Sequence, residues 1–429
     1  MADHCIALVA GRKLLVRHMK KKKILFISYD GMTDPLGQSQ VIPYLQGLSK
    51  KGFRFFLLSC EKQETFTRNE AAVKTMLAGY NIEWVPIPYT KKPPVLSTLK
   101  DIINLRKQAK RIHQQHGVDM VHTRPGVPAL VGLWMKQTMG VKFLHDIREF
   151  YADSRVEGGI WNITTPLFKI IYRFFKKKEA EQIANSDGIV CLTHAAEKII
   201  TALPEYKKSI PLKVIPCSAD LNLFDTLKID IAQKKQFQKE LNIDDSDFVV
   251  SYLGSVGGWY MTAAMLRFCK LLSGRKPETK FLFISPHLHN VIAAEAAKYE
   301  LPSDKLIVKH GKRNEVPVLL SLSNYSLFFI KPCFSKLSSS PTKHGEIMAM
   351  GIPVITNSGV GDVKAIIDKY NAGYVVDDFT DEAFNTVIDQ LLSANTFDAD
   401  TIRKGAVEVY SLKQAVELYE EIYKEILFK

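Results

Sequence analysis

Short runs of β-branched and aromatic residues alternate with amphipathic stretches from one end of this chain to the other. Parallel neighbouring strands need a crossover connection, and each intervening stretch is long enough to be one helix. In the first half the predicted strands are Ile24–Ser28, Arg54–Leu58, Ile82–Val85, Met120–His122, Lys142–His145 and Gly188–Leu192. In the second half they are Phe248–Leu253, Lys280–Ile284, Lys305–Val308, Ser326–Ile330, Pro353–Ile355 and Tyr374–Val376. The alternation predicts an α/β fold of two Rossmann-like parallel-sheet domains. The 429 residues suffice for two domains of about 200 each.

The expected divisions are an extension over 1–18, a first domain over 19–220, a linker over 221–246, a second domain over 247–409 and a closing helix over 410–429. Between Val214-Ile215-Pro216 and Asp247 the Lys- and Asp-rich helical text Leu227–Leu241 separates the two strand series. Met19, directly before Lys20-Lys21-Lys22-Lys23 and the first strand, is the expected natural start. From Ser411 to Leu427, apolar residues such as Val416, Tyr419, Tyr423 and Ile426 fall on one helical stripe.

Each half carries a glycine loop after its first strand. The first is Tyr29-Asp30-Gly31-Met32-Thr33-Asp34-Pro35-Leu36-Gly37, feeding a helix, and the second is Leu253-Gly254-Ser255-Val256-Gly257-Gly258-Trp259-Tyr260. A strand, a glycine loop and a helix N-terminus place backbone N–H groups at the carboxyl edge of a sheet, where open α/β folds bind ligands. The dinucleotide pattern G-x-G-x-x-G is absent, which counts against a nicotinamide enzyme. A third segment, Lys336-Leu-Ser338-Ser339-Ser340-Pro341-Thr342-Lys343-His344-Gly345-Glu346, runs from a hydroxylated loop into a helix, and Gly351 stops that helix before the buried run Ile352–Ile355. Such a loop beside Lys343 suits a phosphate, and Glu346, one turn further in, suits a ribose.

This third segment resembles the donor-site signature of retaining GT-B glycosyltransferases of family 4. The family pattern is a Glu, seven residues, a second Glu, then Ala-Met-small-Gly-x-Pro-Val. Glu346-Ile-Met-Ala-Met-Gly-Ile-Pro-Val matches its second half, whereas Ser338 stands where the first Glu belongs. The glycine loops are weaker matches to the same family. There an Arg and a Lys near the second loop neutralise the donor diphosphate, but here Ser255 takes the Arg position and no Lys follows. The resemblance therefore implies a donor diphosphate held by Lys336, Lys343, Ser338, Ser339, Ser340 and Thr342, with Gly37, Gly254, Ser255, Gly257 and Gly258 lining the loops. A plainer alternative makes Gly254–Gly258 a tight turn and leaves both lysines solvated.

After the strand that ends at His145 come Asp146, Arg148, Glu149, Asp153, Arg155 and Glu157, a dense polar series beside the expected cleft. The resemblance assigns a His-Asp pair here to the donor sugar, hence His145 and Asp146, with Lys343 and Glu346 completing the catalytic set. Asp30, Arg148, Glu149, Arg155 and Glu157 are the expected acceptor-binding residues. No metal and no cofactor are expected, since no acidic cluster looks like a metal site.

Residues 1–220 carry 34 Lys and Arg against 19 Asp and Glu, while the remainder carries 24 against 26, so the net charge of +13 lies entirely in the first half. This fits a pyrophosphate-bearing acceptor or an anionic membrane face. Nucleic acid is not expected, because neither zinc-finger spacing nor an RNP-like motif accompanies the basic residues. Pro166–Lys178 sets Leu167, Ile170, Ile171, Phe174 and Phe175 against Lys and Arg, either as an interfacial helix or as the core face of a crossover helix, and Leu99–Ile112 adds a second basic helix. Six scattered cysteines without C-x-x-C spacing suit a reducing cytoplasm, and no run reaches the roughly 20 apolar residues of a spanning helix.

The expected activity is transfer of a sugar from a UDP- or GDP-type donor to a glycan or polyprenyl-linked acceptor, with retention, in bacterial-type surface polysaccharide or glycoconjugate synthesis, at the inner face of the cytoplasmic membrane. A nucleotide-sugar epimerase, a binding-only relative and a nucleic-acid-binding protein are the alternatives, in that order.

Overall fold

The computed structural model describes residues 21–286, 289–393 and 396–428. The expected extension over 1–18 and the expected start at Met19 lie outside the described residues.

The first sheet comprises β1 (Lys23–Ser28), β2 (Arg54–Glu61), β3 (Ile82–Pro88), β4 (Met120–Thr123), β5 (Lys142–Ile147), β6 (Gly188–Cys191) and β7 (Leu212–Val214). All neighbours are parallel in the order β3-β2-β1-β4-β5-β6-β7. The second sheet comprises β8 (Phe248–Leu253), β9 (Thr279–Ile284), β10 (Leu306–Lys309), β11 (Tyr325–Leu327), β12 (Val354–Asn357) and β13 (Gly373–Val376), ordered β10-β9-β8-β11-β12-β13. Strands such as β2, with Phe55 through Glu61 all buried, are covered by helices on both faces, as parallel sheets require. Only β7 is absent from the strands expected from sequence. It is a three-residue edge strand, and its Lys213 finds Glu421 of the last helix at 2.9 Å, a tertiary contact that local propensity does not encode.

In each sheet the strand order reverses direction beside its first strand, between β1 and β4 and again between β8 and β11. Loops leave the two central strands in opposite directions there, opening a crevice at the carboxyl ends. These two crevices hold the glycine loops. The last helix, Leu412–Leu427, buries Val416, Tyr419, Ile422, Tyr423 and Ile426 in the core of the first sheet. Gly47 permits this approach: a Cβ there would lie 2.5 Å from Val416.

Loops from the two sheets also meet directly. Glu157 accepts hydrogen bonds from the backbone N–H of Phe334 (3.1 Å) and Ser335 (2.8 Å), and Lys331 Nζ donates to the Glu157 carbonyl at 3.0 Å. Trp259 lies against Gly158, where an added Cβ would stand 2.7 Å from the indole.

Candidate active site

The helix Thr342–Ala349 begins after Pro341 and carries Lys343 and Glu346 one turn apart. Lys343 Nζ sits 3.7 Å from the ring centre of Tyr260, 4.5 Å from that of Tyr252, and 3.4 Å from the Tyr252 hydroxyl. Gly254 lies directly beneath it, with φ of +122°, and a Cβ at that position would come within 2.7 Å of Nζ. Lys336 Nζ sits 3.6 Å over the Trp259 ring. Both lysines are buried, 8% and 7% exposed for Lys336 and Lys343, and neither has a carboxylate within ion-pair distance among the described residues. Burial pushes Lys343 down to a pKa of about 7, with Glu346 opposing, and it lowers Lys336, with Glu149 opposing. The reading of both lysines as solvated is thus excluded.

A buried ammonium with only aromatic faces and, for Lys343, a tyrosine hydroxyl for company is incompletely compensated. Lys336 and Lys343 both lie against aromatic residues of the segment Tyr252–Tyr260, which contains the glycine loop. Of that loop, Gly257 donates its N–H to Thr262 Oγ1 at 2.9 Å, so this amide is already engaged. Gly258 lies at φ of +60° next to it, and Ser255 places its carbonyl on the Tyr252 hydroxyl. Glu346 is buried and pairs with Arg313 at 2.6 Å; burial raises its pKa while Arg313 opposes that rise. Arg313 in turn lies over Phe224 at 4.8 Å.

Across the crevice the first domain contributes Asp30, Glu149 and Arg155. Arg155 pairs with Glu149 at 3.2 Å and covers the Tyr151 ring at 4.4 Å, and Ser154 Oγ donates to the other Glu149 oxygen at 2.7 Å. Asp30 is exposed at the crevice, within electrostatic reach of Arg124, Glu149 and Arg155, and Glu149 and Arg155 also act on Lys336. These groups face one another across the domain boundary.

Several expected site residues lie elsewhere. His145 and Asp146 are consecutive on β5, so their side chains leave opposite faces of the sheet. Asp146 is buried under the last helix, where Tyr419 Oη donates to it at 2.8 Å, His122 Nε2 lies at 3.3 Å and Arg148 at 3.8 Å. Burial alone would raise its pKa, but Arg148 and His122 outweigh that and hold it well below the usual carboxylate range. His145, held neutral by burial at a pKa of about 4, lines a separate cavity of about 250 Å³ with Glu149, Lys176, Glu179 and Phe334. Arg148 is likewise buried, reaching Tyr419 Oη and Cys217 Sγ at 3.3 Å each beneath the last helix. Glu157 is occupied by the domain contact described above.

The hydroxylated loop also differs from expectation. Ser338 is fully buried: it accepts from the Phe150 N–H at 3.2 Å and donates to the Ser335 carbonyl at 2.7 Å, so it ties the domains together. Ser340 Oγ accepts from the Cys217 N–H at 3.2 Å, and Ser339 and Ser340 line a different cavity of about 850 Å³ with Thr193, Asp362 and Tyr410. Thr342 is half-buried at the first turn of the Lys343 helix. Gly37 is a packing residue, since a Cβ would stand 2.6 Å from the Met32 Cα. Its loop has its amides engaged by Glu61, which accepts from Met32 N at 2.7 Å, Thr33 N at 3.1 Å, Thr33 Oγ1 at 2.6 Å and Ser59 Oγ at 2.6 Å.

Sequence reasoning missed Glu61, Arg313, Tyr252 and the roles of Trp259 and Tyr260. Arg313 had a signal in Gly311-Lys312-Arg313, a glycine and cations just beyond a strand end. Tyr252 had none, being one aromatic in an apolar strand.

Residues 233–407 match the family described as Glycosyl transferases group 1. The alpha-monoglucosyldiacylglycerol synthase of Streptococcus pneumoniae is 22% identical over 273 residues, covering 61% of this chain and 57% of that protein. The crystal structure of a glycosyltransferase from Rickettsia africae superposes with a TM-score of 0.70 at 18% identity, over 95% of this chain and 99% of that one. Anabaena HepE, in complex with UDP and glucose, superposes with a TM-score of 0.66 at 13% identity, over 94% and 99%. The fold is GT-B, two Rossmann-like domains facing each other across a cleft, and the match to the glycosyl transferases group 1 family falls on the second domain.

Proposed function

We propose that this protein transfers a sugar from a nucleotide diphosphate donor, bound at Lys336, Lys343 and the Gly254–Tyr260 loop, to an acceptor held by the first domain. The carrying observation is the pair of buried lysines that lack a carboxylate and point at one glycine loop. A diphosphate supplies the missing countercharge, and it takes on further charge as the glycosidic bond to it breaks. A preorganised ammonium pair in a dry cleft stabilises that developing charge more than water does. Glu346, fixed by Arg313, faces the ribose in this reading.

Family 4 and retention of anomeric configuration follow from the resemblance around Glu346, and the UDP held by the HepE relative makes a uridine donor the first to test. With Ser338 in place of the first motif Glu, Glu149, which pairs with Arg155 and acts on Lys336, is a carboxylate at the domain boundary that takes that role in this reading. The acceptor is a glycan or a lipid-linked glycan, in surface polysaccharide or glycoconjugate synthesis, with the enzyme peripheral on the inner face of the cytoplasmic membrane. Among the described residues no helix is long and apolar enough to cross a membrane.

The test is a thermal-shift screen against UDP, GDP, ADP and CMP and their sugar conjugates, with and without EDTA. Stabilisation by one nucleoside diphosphate that survives EDTA and disappears in Lys343→Met supports the reading. Absence of a shift with every nucleotide overturns it.

A further inference from the structure

We propose that the face built by helices Leu96–His116 and Pro166–Asn185 seats this protein on an anionic bilayer, and that the pocket opening beneath it admits the apolar chain of a membrane lipid acceptor. The acceptor half of this proposal rests on the transferase reading above. The docking half stands without it.

A crossover helix of a Rossmann sheet normally buries its apolar stripe. Helix Pro166–Asn185 buries Phe175, Gln182 and Ile183 and turns the other stripe outward, with Leu167, Ile170 and Phe174 exposed. Helix Leu96–His116 does the same with Leu99 and Ile103, and Ile103 and Ile170 are each 65% exposed. An exposed apolar patch of this extent on one side of a soluble fold marks an interaction surface.

The patch continues inward. Leu99 and Ile102 from one helix and Ile170, Ile171 and Phe174 from the other line a single cavity of about 890 Å³. Trp161 lies along its wall, and Asp30 and Arg155, the acceptor-side groups of the candidate active site, also border it. A chain entering from the patch therefore leads its head group toward the cleft.

Charge selects the occupant. Lys176 pairs with Asp153 and Glu179, and Lys178 with Glu181. Lys169, Arg173 and Lys177, spaced by one turn beside the exposed stripe, have no carboxylate within ion-pair distance among the described residues. Lys100, Lys107 and Lys110 repeat the arrangement on the neighbouring helix. Apolar side chains rimmed by unpaired cations match the interface of an anionic bilayer, whereas a protein partner would need acidic groups in register with each cation.

The test is flotation of the full chain with vesicles of phosphatidylcholine alone and with phosphatidylglycerol added. Binding is expected to be at least about tenfold stronger with phosphatidylglycerol and to weaken with salt. Ile103→Ser/Ile170→Ser and Lys169→Glu/Arg173→Glu, all at exposed positions, are each expected to lose it while keeping the thermal shift by nucleotide. A chain-brominated phosphatidylglycerol is expected to quench tryptophan fluorescence, and Trp161→Phe to remove the quenched component. A nucleotide shift without vesicle binding overturns the docking surface and leaves the transferase reading intact. Vesicle binding with quenching unchanged in Trp161→Phe overturns the chain pocket.

Discussion

The two glycine loops occupy equivalent places, each between the first strand of a sheet and its following helix at the point where strand order reverses. Their chemistry is opposite. In the first domain a buried carboxylate, Glu61, binds the Met32 and Thr33 amides and the Thr33 hydroxyl, so the loop is internally satisfied and repels a phosphate. In the second domain no carboxylate among the described residues hydrogen-bonds to the loop; Tyr252, Trp259 and Tyr260 present ring faces to Lys336 and Lys343. A strand–glycine–helix pattern marks where a ligand can sit. The charge buried behind it decides which ligand, and whether there is one.

The largest effect is expected at Lys343. Lys343→Met should weaken nucleoside diphosphate binding about a hundredfold, as loss of a charged hydrogen bond of about 1.5–3 kcal/mol implies, read by titration calorimetry. The same substitution should leave the free protein as stable or more so, since it removes a buried ammonium without a carboxylate partner. A loss of stability without loss of affinity would break the contrast between the loops.

Glu61→Ala tests the other loop. It leaves two buried N–H groups unpaired and should cost about 1–3 kcal/mol in denaturant unfolding, with nucleotide affinity changed by no more than about threefold. A collapse of nucleotide affinity would mean that the first loop also holds the donor.

The pH dependence sharpens the assignment. Lys343, with a pKa of about 7 when free, becomes protonated when a diphosphate binds. Binding therefore takes up a proton above pH 7. Affinity should be level below about pH 7 and fall by up to about tenfold per unit above it, and Lys343→Met should flatten that slope. Smallest is Ser338→Ala, which removes one bond across the domain boundary and one within its own loop, and should lower unfolding stability by about 1 kcal/mol with nucleotide affinity intact. A large loss of affinity would return Ser338 to the donor site.

Much of this architecture was legible in the residues. Twelve strands, the reversal-point loops and the Lys343–Glu346 helix follow from period, punctuation and one recognisable motif. The site was legible in part. Lys336, Lys343, Glu346 and the Gly254 loop converge, but His145 and Asp146 separate because consecutive strand residues face opposite ways, and Asp146 then meets Tyr419 from the far end of the chain. Ser338, Ser340 and Glu157 are polar residues near a cleft in sequence terms, yet domain docking turns their hydrogen bonds to backbone N–H groups of the opposite domain or of the chain joining the two.

By itself the sequence determined the order and kind of elements, since hydrophobic period and glycine placement are local properties of the chain. Only the tertiary structure decided which side of the helix Pro166–Asn185 is covered, which glycine loop is electrostatically open, and which members of the polar series share the cleft. Those outcomes depend on partners hundreds of residues away, and a buried charge takes its meaning from whatever the fold brings next to it.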